Sequence, residues 1–213
     1  MKLFDYHRSS AAYRVRIALN LKGLTAERSF VHLRKGVQHS AEYRERNPQR
    51  LVPALALDDG EIVTQSLAII EYLEETHPQP PLLPAKPADR ARVRAIALSI
   101  IADIHPIDNL RVLQYLQQTL GVDDAARDAW YGHWVGLGLA ALEKQIARDA
   151  RTGRFCHGDA PTLADCCLVP QLANARRAAL DVAAFPTLVR IETTCLALPA
   201  FADAAPARQP DAE

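Results

Sequence analysis

The sequence predicts an α/β unit followed by an all-helical unit, and three observations carry that assignment. Residues 1–76 switch between period-2 and helical apolar spacing in the order βαβαββα. Pro78, Pro80, Pro81, Pro84 and Pro87 then crowd the stretch 76–88, which cannot continue a helix and reads as a stiff linker. From Asp89 onward apolar residues recur only at three- and four-residue spacing, with no hairpin signal. The expected division is residues 1–83 and residues 88–213.

Taken in order, 2–6 is a short strand and 11–22 a helix, which Gly23 and Thr25 end. Alternation resumes over 27–33, and the polar stretch 34–46 holds a short helix. Val52-Pro53 opens an apolar strand, 54–57. Asp58-Asp59-Gly60 is a hairpin turn in which the glycine takes the positive φ that such turns demand, and 61–64 returns as the partner strand. Gln65-Ser66 starts a helix with Leu67, Ile70 and Leu73 at helical spacing. Its first unpaired N–H groups and the Ser66 hydroxyl suit an anion there, most simply a carboxylate. The second half reads as helices over 90–120, 125–149, 163–178 and 185–196, with an Ala/Pro-rich tail after Phe201. There is no internal repeat.

Composition bounds the function. The 213 residues are 49% hydrophobic and 23% charged, an ordinary globular mixture. Basic and acidic residues balance at 25 each, so no global field points to nucleic acid, and selectivity for anions has to be local. Met1-Lys2-Leu3-Phe4-Asp5 lacks the apolar core of a signal peptide and no apolar run has the length of a membrane span, so a cytoplasmic location is expected. Cys156, Cys166, Cys167 and Cys195 show no CxxC spacing and read as buried free thiols, and His7, His32, His39, His77, His133 and His157 show no ligand spacing with Cys or Asp, so no metal is expected.

Arg8-Ser9-Ser10 sits between the first strand and the first helix. A serine there is either an N-cap or a hydroxyl that donates to a thiolate. Taken alone the N-cap is the commoner role and the sequence does not separate the two, but the neighbouring features raise the second. A thioredoxin-like βαβαββα unit with a pre-proline turn and a Gln-Ser helix start implies a peptide-like ligand with a carboxylate, and a thiol tripeptide fits.

These residues resemble the zeta class of soluble glutathione transferases, which includes maleylacetoacetate isomerases and bacterial maleylpyruvate isomerases. The carriers are Arg8-Ser9-Ser10 through Arg14-Val15-Arg16-Ile17-Ala18-Leu19, Asn47-Pro48 with Leu51-Val52-Pro53, and Gln65-Ser66 through Glu75. In the second half they are Asn109-Leu110, Thr162-Leu163-Ala164-Asp165, Leu168-Val169-Pro170-Gln171, Ala173-Asn174-Ala175 and Gln209-Pro210-Asp211. The spacing of Thr162 and Asp165 is that of a capping box. The resemblance implies a thioredoxin-like N-terminal domain, an all-helical C-terminal domain, glutathione as cofactor and a homodimer. It also implies that Ser9 assists the thiolate with Ser10 beside it, and that Val52, ahead of a cis Pro53, pairs its backbone with the cysteinyl unit. Gln65 and Ser66 would hold the γ-glutamyl carboxylate and Gln38 the glycyl end. His105 and Asn109 match positions near the same ligand and, four residues apart, would share one helix face. Where the class usually has Cys-Ser-Trp after the serines, this chain has Ala11-Ala12-Tyr13.

The chemistry implied is conversion of maleylpyruvate to fumarylpyruvate. A thiolate adds to the activated double bond, the resulting single bond rotates, and elimination releases the trans product with glutathione unchanged. The missing cysteine does not block this route, because the nucleophile belongs to glutathione. A free thiol titrates near ~8.5, and lowering that by about two units takes ~2.7 kcal/mol, which one hydroxyl plus a helix N-terminus can supply. The maleyl dicarboxylate and the charge that develops on it need cations or donors. Arg8 is the first candidate, with a solvent-exposed role as the alternative. One of Arg176 and Arg177 is expected to reach substrate, with Arg176 favoured, and Arg111 is either a third substrate arginine or a surface residue. Trp130, Trp134 and Leu137 read as a packing stripe ahead of a substrate wall. The alternatives are a maleylacetoacetate isomerase, a conjugating or dehalogenating transferase, and a noncatalytic glutathione-binding protein.

Overall fold

The computed structural model describes residues 1–213. These divide into two compact units, Met1–Leu82 together with Leu196–Glu213, and Leu83–Cys195. No helix is long and apolar enough to cross a membrane.

The first unit contains β1 (Lys2–Asp5), α1 (Ser10–Leu21), β2 (Glu27–Phe30), α2 (Ala41–Arg46), β3 (Ala54–Ala56), β4 (Ile62–Thr64) and α3 (Ser66–Thr76). The expected βαβαββα order is therefore realised, as a four-stranded sheet in the order β2-β1-β3-β4. β1 runs parallel to β2 and antiparallel to β3, and the β3–β4 hairpin is antiparallel. Alternation along β1 separates two faces. Leu3 opposes Leu55 and both are fully buried, while Phe4 and Ala54 lie on the other face in a cluster with Tyr6, Val31, Tyr43 and Val52.

Two buried ionic groups fix this unit. Asp5, at the end of β1, pairs with Arg16 of α1 and Arg28 of β2 and accepts from the Tyr6 N–H. Burial pushes the Arg16 guanidinium down to about 10, which leaves it charged at neutral pH. Lys22 donates to Glu74 at 2.7 Å and to the carbonyls of His77 and Pro80, and Glu74 accepts from the Leu82 N–H. This ammonium therefore holds the proline-rich segment against the ends of α1 and α3.

The tail assigned from sequence to the helical half belongs instead with the first unit. After Leu196 it forms α10 (Pro199–Ala202) and a 3₁₀ turn, Pro206–Arg208. Phe201 is fully buried, its carbonyl accepts from the Tyr13 hydroxyl, and the Ala204 carbonyl accepts from Arg16 at 2.9 Å. Apolar burial and these carbonyl partners on α1 decide its place, and neither is visible in an Ala/Pro-rich composition.

The second unit is helical, with α4 (Pro87–Leu98), a π-helical turn Ser99–Ile104, α5 (His105–Ile107), α6 (Leu110–Gln118), α7 (Asp124–Ala147), α8 (Leu163–Arg177) and α9 (Pro186–Leu196). The single helix expected over 90–120 is thus broken, because the π turn, Pro106 and a fresh cap at Asn109 interrupt it. Gly138 of α7 admits the π turn. A Cβ there would stand 2.3 Å from Ile104 Cγ1.

Buried polar anchors hold this unit too. Arg92 donates to Asp149, Thr152 and the Cys156 carbonyl. Glu143 of α7 accepts the N–H groups of Thr187 and Leu188, capping α9 from outside. The capping box at Thr162 and Asp165 is formed, and all four cysteines are buried and free. Leu137 departs from the expected stripe. It is 57% exposed, while Trp130 and Trp134 pack edge to face and the Trp130 indole donates to the Ile107 carbonyl.

Candidate functional site

In the first unit the site is built around two helix starts. Ser9 is the N-cap of α1, and its Oγ accepts from the Ala12 N–H at 3.2 Å. The two readings of this serine are therefore compatible, because the bond occupies a lone pair and leaves the hydroxyl proton to be donated. Ser10 is the first helical residue and is buried, so of the two serines Ser9 is the more accessible. Arg8 is partly buried beside Tyr6, whose phenol is raised by burial, with the Arg8 charge opposing that rise.

At the second helix start, Gln65 takes φ 70°, a left-handed backbone that costs a non-glycine residue about 1–3 kcal/mol. Its amide donates to Gln49 at 2.8 Å. Ser66 opens α3 and is buried, and its Oγ accepts from Arg14 Nη1 at 3.2 Å. A fully buried guanidinium thus stands behind the hydroxyl and the unpaired N–H groups of the α3 start. Two like features, a cation and a positive helix end, make this an anion cradle. The sequence signal of this buried cation is a charge inside the apolar run Tyr13-Arg14-Val15-Arg16-Ile17.

The edge between them is shaped by Asn47. Its amide donates to the Leu51 carbonyl and accepts the Gln49 N–H, and the Tyr43 hydroxyl donates to the same carbonyl at 2.6 Å. Arg50 takes φ 58° within this turn. The Val52-Pro53 peptide is cis, and Val52 precedes the ladder that starts at Ala54. Gln38 lies in a 3₁₀ turn and is buried, its amide nitrogen donates to the Leu33 carbonyl, and its Oε1 has no partner. In this orientation it offers an acceptor, and a turned amide would offer a donor to a glycyl carboxylate. An anion cradle, a pre-proline edge and an orphaned amide oxygen fit a peptide carrying a carboxylate. Within the first unit, then, Ser9, Val52, Gln65 and Ser66 border one sheet end and the two helix starts beside it.

In the second unit, His105 and Asn109 do not share one helix face. Asn109 caps α6 by accepting the Arg111 N–H at 3.0 Å, which starts a new helix after the short α5. Arg111 is exposed. Arg176 pairs with Glu192 of α9, whereas Arg177 acts electrostatically on Tyr131. The Arg176 guanidinium, expected to be the one reaching substrate, is thus committed to a carboxylate of its own unit.

Asp108, which no sequence motif marks, lies between His105 and Asn109. It is 8% exposed, neither carboxylate oxygen has a hydrogen bond, and burial pushes its pKa up to about 7. The nearby Tyr131 phenol is pushed up to about 12, by burial first, with Asp108 adding to the rise. An unfolded Asp titrates near ~3.9, so the folded state holds the Asp108 proton more tightly. The stability linked to it is complete below about pH 4 and is lost as pH rises through about 7. We expect Asp108→Asn to match the parent at pH 4 and to exceed it by roughly 2–4 kcal/mol at pH 8. Urea unfolding across pH checks this, and a pH-independent difference would refute it.

Comparison with known proteins adds identity to this geometry. The family model for the glutathione S-transferase N-terminal domain matches residues 3–81, and that for the C-terminal domain matches residues 124–208. The chain is 53% identical over 213 residues to the probable maleylacetoacetate isomerase of Vibrio cholerae serotype O1, covering 99% of this chain and 97% of that protein. It is 49% identical over 212 residues to the maleylpyruvate isomerase of a Ralstonia species, covering 99% of each. Among solved structures, a holo maleylpyruvate isomerase described as a bacterial zeta-class glutathione S-transferase superposes with a TM-score of 0.97 at 48% identity, over all of both chains. The maleylacetoacetate isomerase of Methylobacterium extorquens AM1, with bound malonate and glutathione, gives the same TM-score at 44% identity, again over all of both chains.

Proposed function

This chain belongs to the zeta class of the glutathione S-transferase family, and from that membership we propose that it is a glutathione-dependent cis-trans isomerase converting maleylpyruvate to fumarylpyruvate. Maleylacetoacetate is the second substrate to test, because relatives of similar identity carry each name. The observation that carries the reading is the pair of helix starts, one with an arginine and an accessible serine, the other an anion cradle backed by Arg14. Membership of the family also supports a cytoplasmic homodimer.

Glutathione is the cofactor, and when bound it supplies the thiol that adds reversibly to the activated double bond and is returned unchanged. Gln65, Ser66 and the α3 N–H groups take its γ-glutamyl carboxylate, with Arg14 supplying charge through Ser66. Val52 offers backbone to its cysteinyl unit, and Gln38 takes its glycyl end. Ser9 donates its hydroxyl proton to the sulfur and so holds the anion. Arg8 takes a substrate carboxylate and the negative charge that develops next to it. Of the two arginines closing α8, Arg177 is the one we assign to substrate, and His105 and Asn109 are assigned to the cofactor.

The test mixes purified protein with maleylpyruvate, and separately with maleylacetoacetate, with and without glutathione, while following product and free thiol. Conversion only with glutathione, and with no net thiol loss, is the expected result. Stoichiometric thiol loss would replace the isomerase by a conjugating transferase, and binding without conversion would leave a glutathione-binding protein.

A further inference from the structure

We propose that Asp211, near the C-terminus, is a positioning residue for the reaction: through the backbone of His7 it fixes the loop that presents Arg8 and Ser9. The inference rests on the roles given above to Arg8 and Ser9. Both backbone polar groups of His7 are held by side chains. Its N–H donates to Asp211 Oδ2 at 2.9 Å, and its carbonyl accepts from Arg16 Nη2 at 3.1 Å. Asp211 Oδ2 also faces the His7 ring at Nδ1, at 3.4 Å, and the ring packs edge-on to Tyr6. The Ser9 N–H donates to the Tyr6 carbonyl at 2.9 Å and closes the loop. Residue 7 is thereby pinned on both sides, one residue before Arg8.

The tail that carries Asp211 is itself anchored. Gln209 donates to the carbonyls of Asp203 and Ala205 and accepts from Arg28 at 3.1 Å. Arg16, which holds the His7 carbonyl, also donates to the Ala204 carbonyl, so one guanidinium joins tail and loop. The Asp211 carboxylate also stabilises the charge of Arg16, which holds the His7 carbonyl, and of Arg28, so it acts on the loop from both sides. Asp211 Oδ1 is buried without a hydrogen bond, a cost that asks for a role beyond filling space. Clamping a loop in one geometry matters most where reacting groups must be placed within a fraction of an ångström.

The experiment compares Asp211→Ala and Asp211→Asn with the parent protein, in the presence of glutathione. Two quantities are read: kcat and KM for isomerisation, and the pH midpoint of the bound thiol from its ultraviolet thiolate absorbance. For Asp211→Ala we expect kcat to fall about tenfold and KM for glutathione to move less than about threefold. The thiol midpoint should rise by roughly one unit as Ser9 loses its placement. Asp211→Asn should show smaller shifts in the same direction, because its amide oxygen can still accept the His7 N–H. It carries the test if the alanine variant does not fold. Unchanged kcat and thiol midpoint would overturn the proposal, whatever happens to thermal stability. The thiol titration needs no maleyl substrate. A parent protein that isomerises neither substrate would therefore overturn the isomerase reading while the titration still judges the tether.

Discussion

Ser9→Ala is expected to lower kcat/KM for glutathione-dependent isomerisation by about ten- to a hundredfold, because a hydrogen bond to a charged acceptor is worth about 1.5–3 kcal/mol. The Ala12 N–H fixes the Ser9 oxygen in place, which aims a single donor rather than a freely rotating one. Removing the hydroxyl also removes the cap of α1, at about 1 kcal/mol of stability. The two losses are separable. Ser9→Thr keeps both an oxygen that can cap and a proton that can be donated, so it should retain most activity and most stability. A thiolate titration of bound glutathione should show the midpoint raised in Ser9→Ala. If the rate falls less than about threefold with no change in that midpoint, the hydroxyl is only a cap, and the helix N-terminus alone holds the thiolate.

Asp165→Ala is expected to remove about 3–5 kcal/mol from the stability of the helical unit, the largest stability effect we foresee. Asp165 is fully buried, and its oxygens accept from the Cys156 N–H, the Thr162 N–H and the Thr162 hydroxyl, each at 2.8 Å. Burial raises its pKa, and those donors oppose the rise. Alanine strands two backbone N–H groups in a dry core and leaves a cavity between α8 and the 156 segment. Asp165→Asn keeps one accepting oxygen but points an NH₂ group at remaining donors, so it should be intermediate at best. Urea unfolding followed by tryptophan fluorescence reports on this unit, since Trp130 and Trp134 both lie in α7. A loss below about 1 kcal/mol for the alanine variant would mean that water replaces the carboxylate.

The two predictions differ in how much of their basis could be read from the sequence. The capping box was legible because it is set by residues three apart, and so was Ser9 at the junction of a strand and a helix. The βαβαββα order, the hairpin at Asp58-Asp59-Gly60 and the Gln65-Ser66 helix start were legible for the same reason. Each depends on backbone preferences and periodicity within a few residues.

What only the tertiary structure decided is where distant groups meet and which of them lose water. Arg14 reaches Ser66 across 52 residues, and Asp211 reaches His7 across 204. Arg176 is taken up by Glu192, 16 residues on, a pairing that the sequence alone does not show. The 90–120 helix breaks at a π turn that needs Gly138 of α7 opposite Ile104, and the break leaves Asp108 buried without a partner. The physical reason is common to all of these. Local sequence sets the conformations a segment prefers, whereas burial and hydrogen-bond pairing depend on which other segment packs against it, and in this chain that choice is made by contacts far apart in sequence.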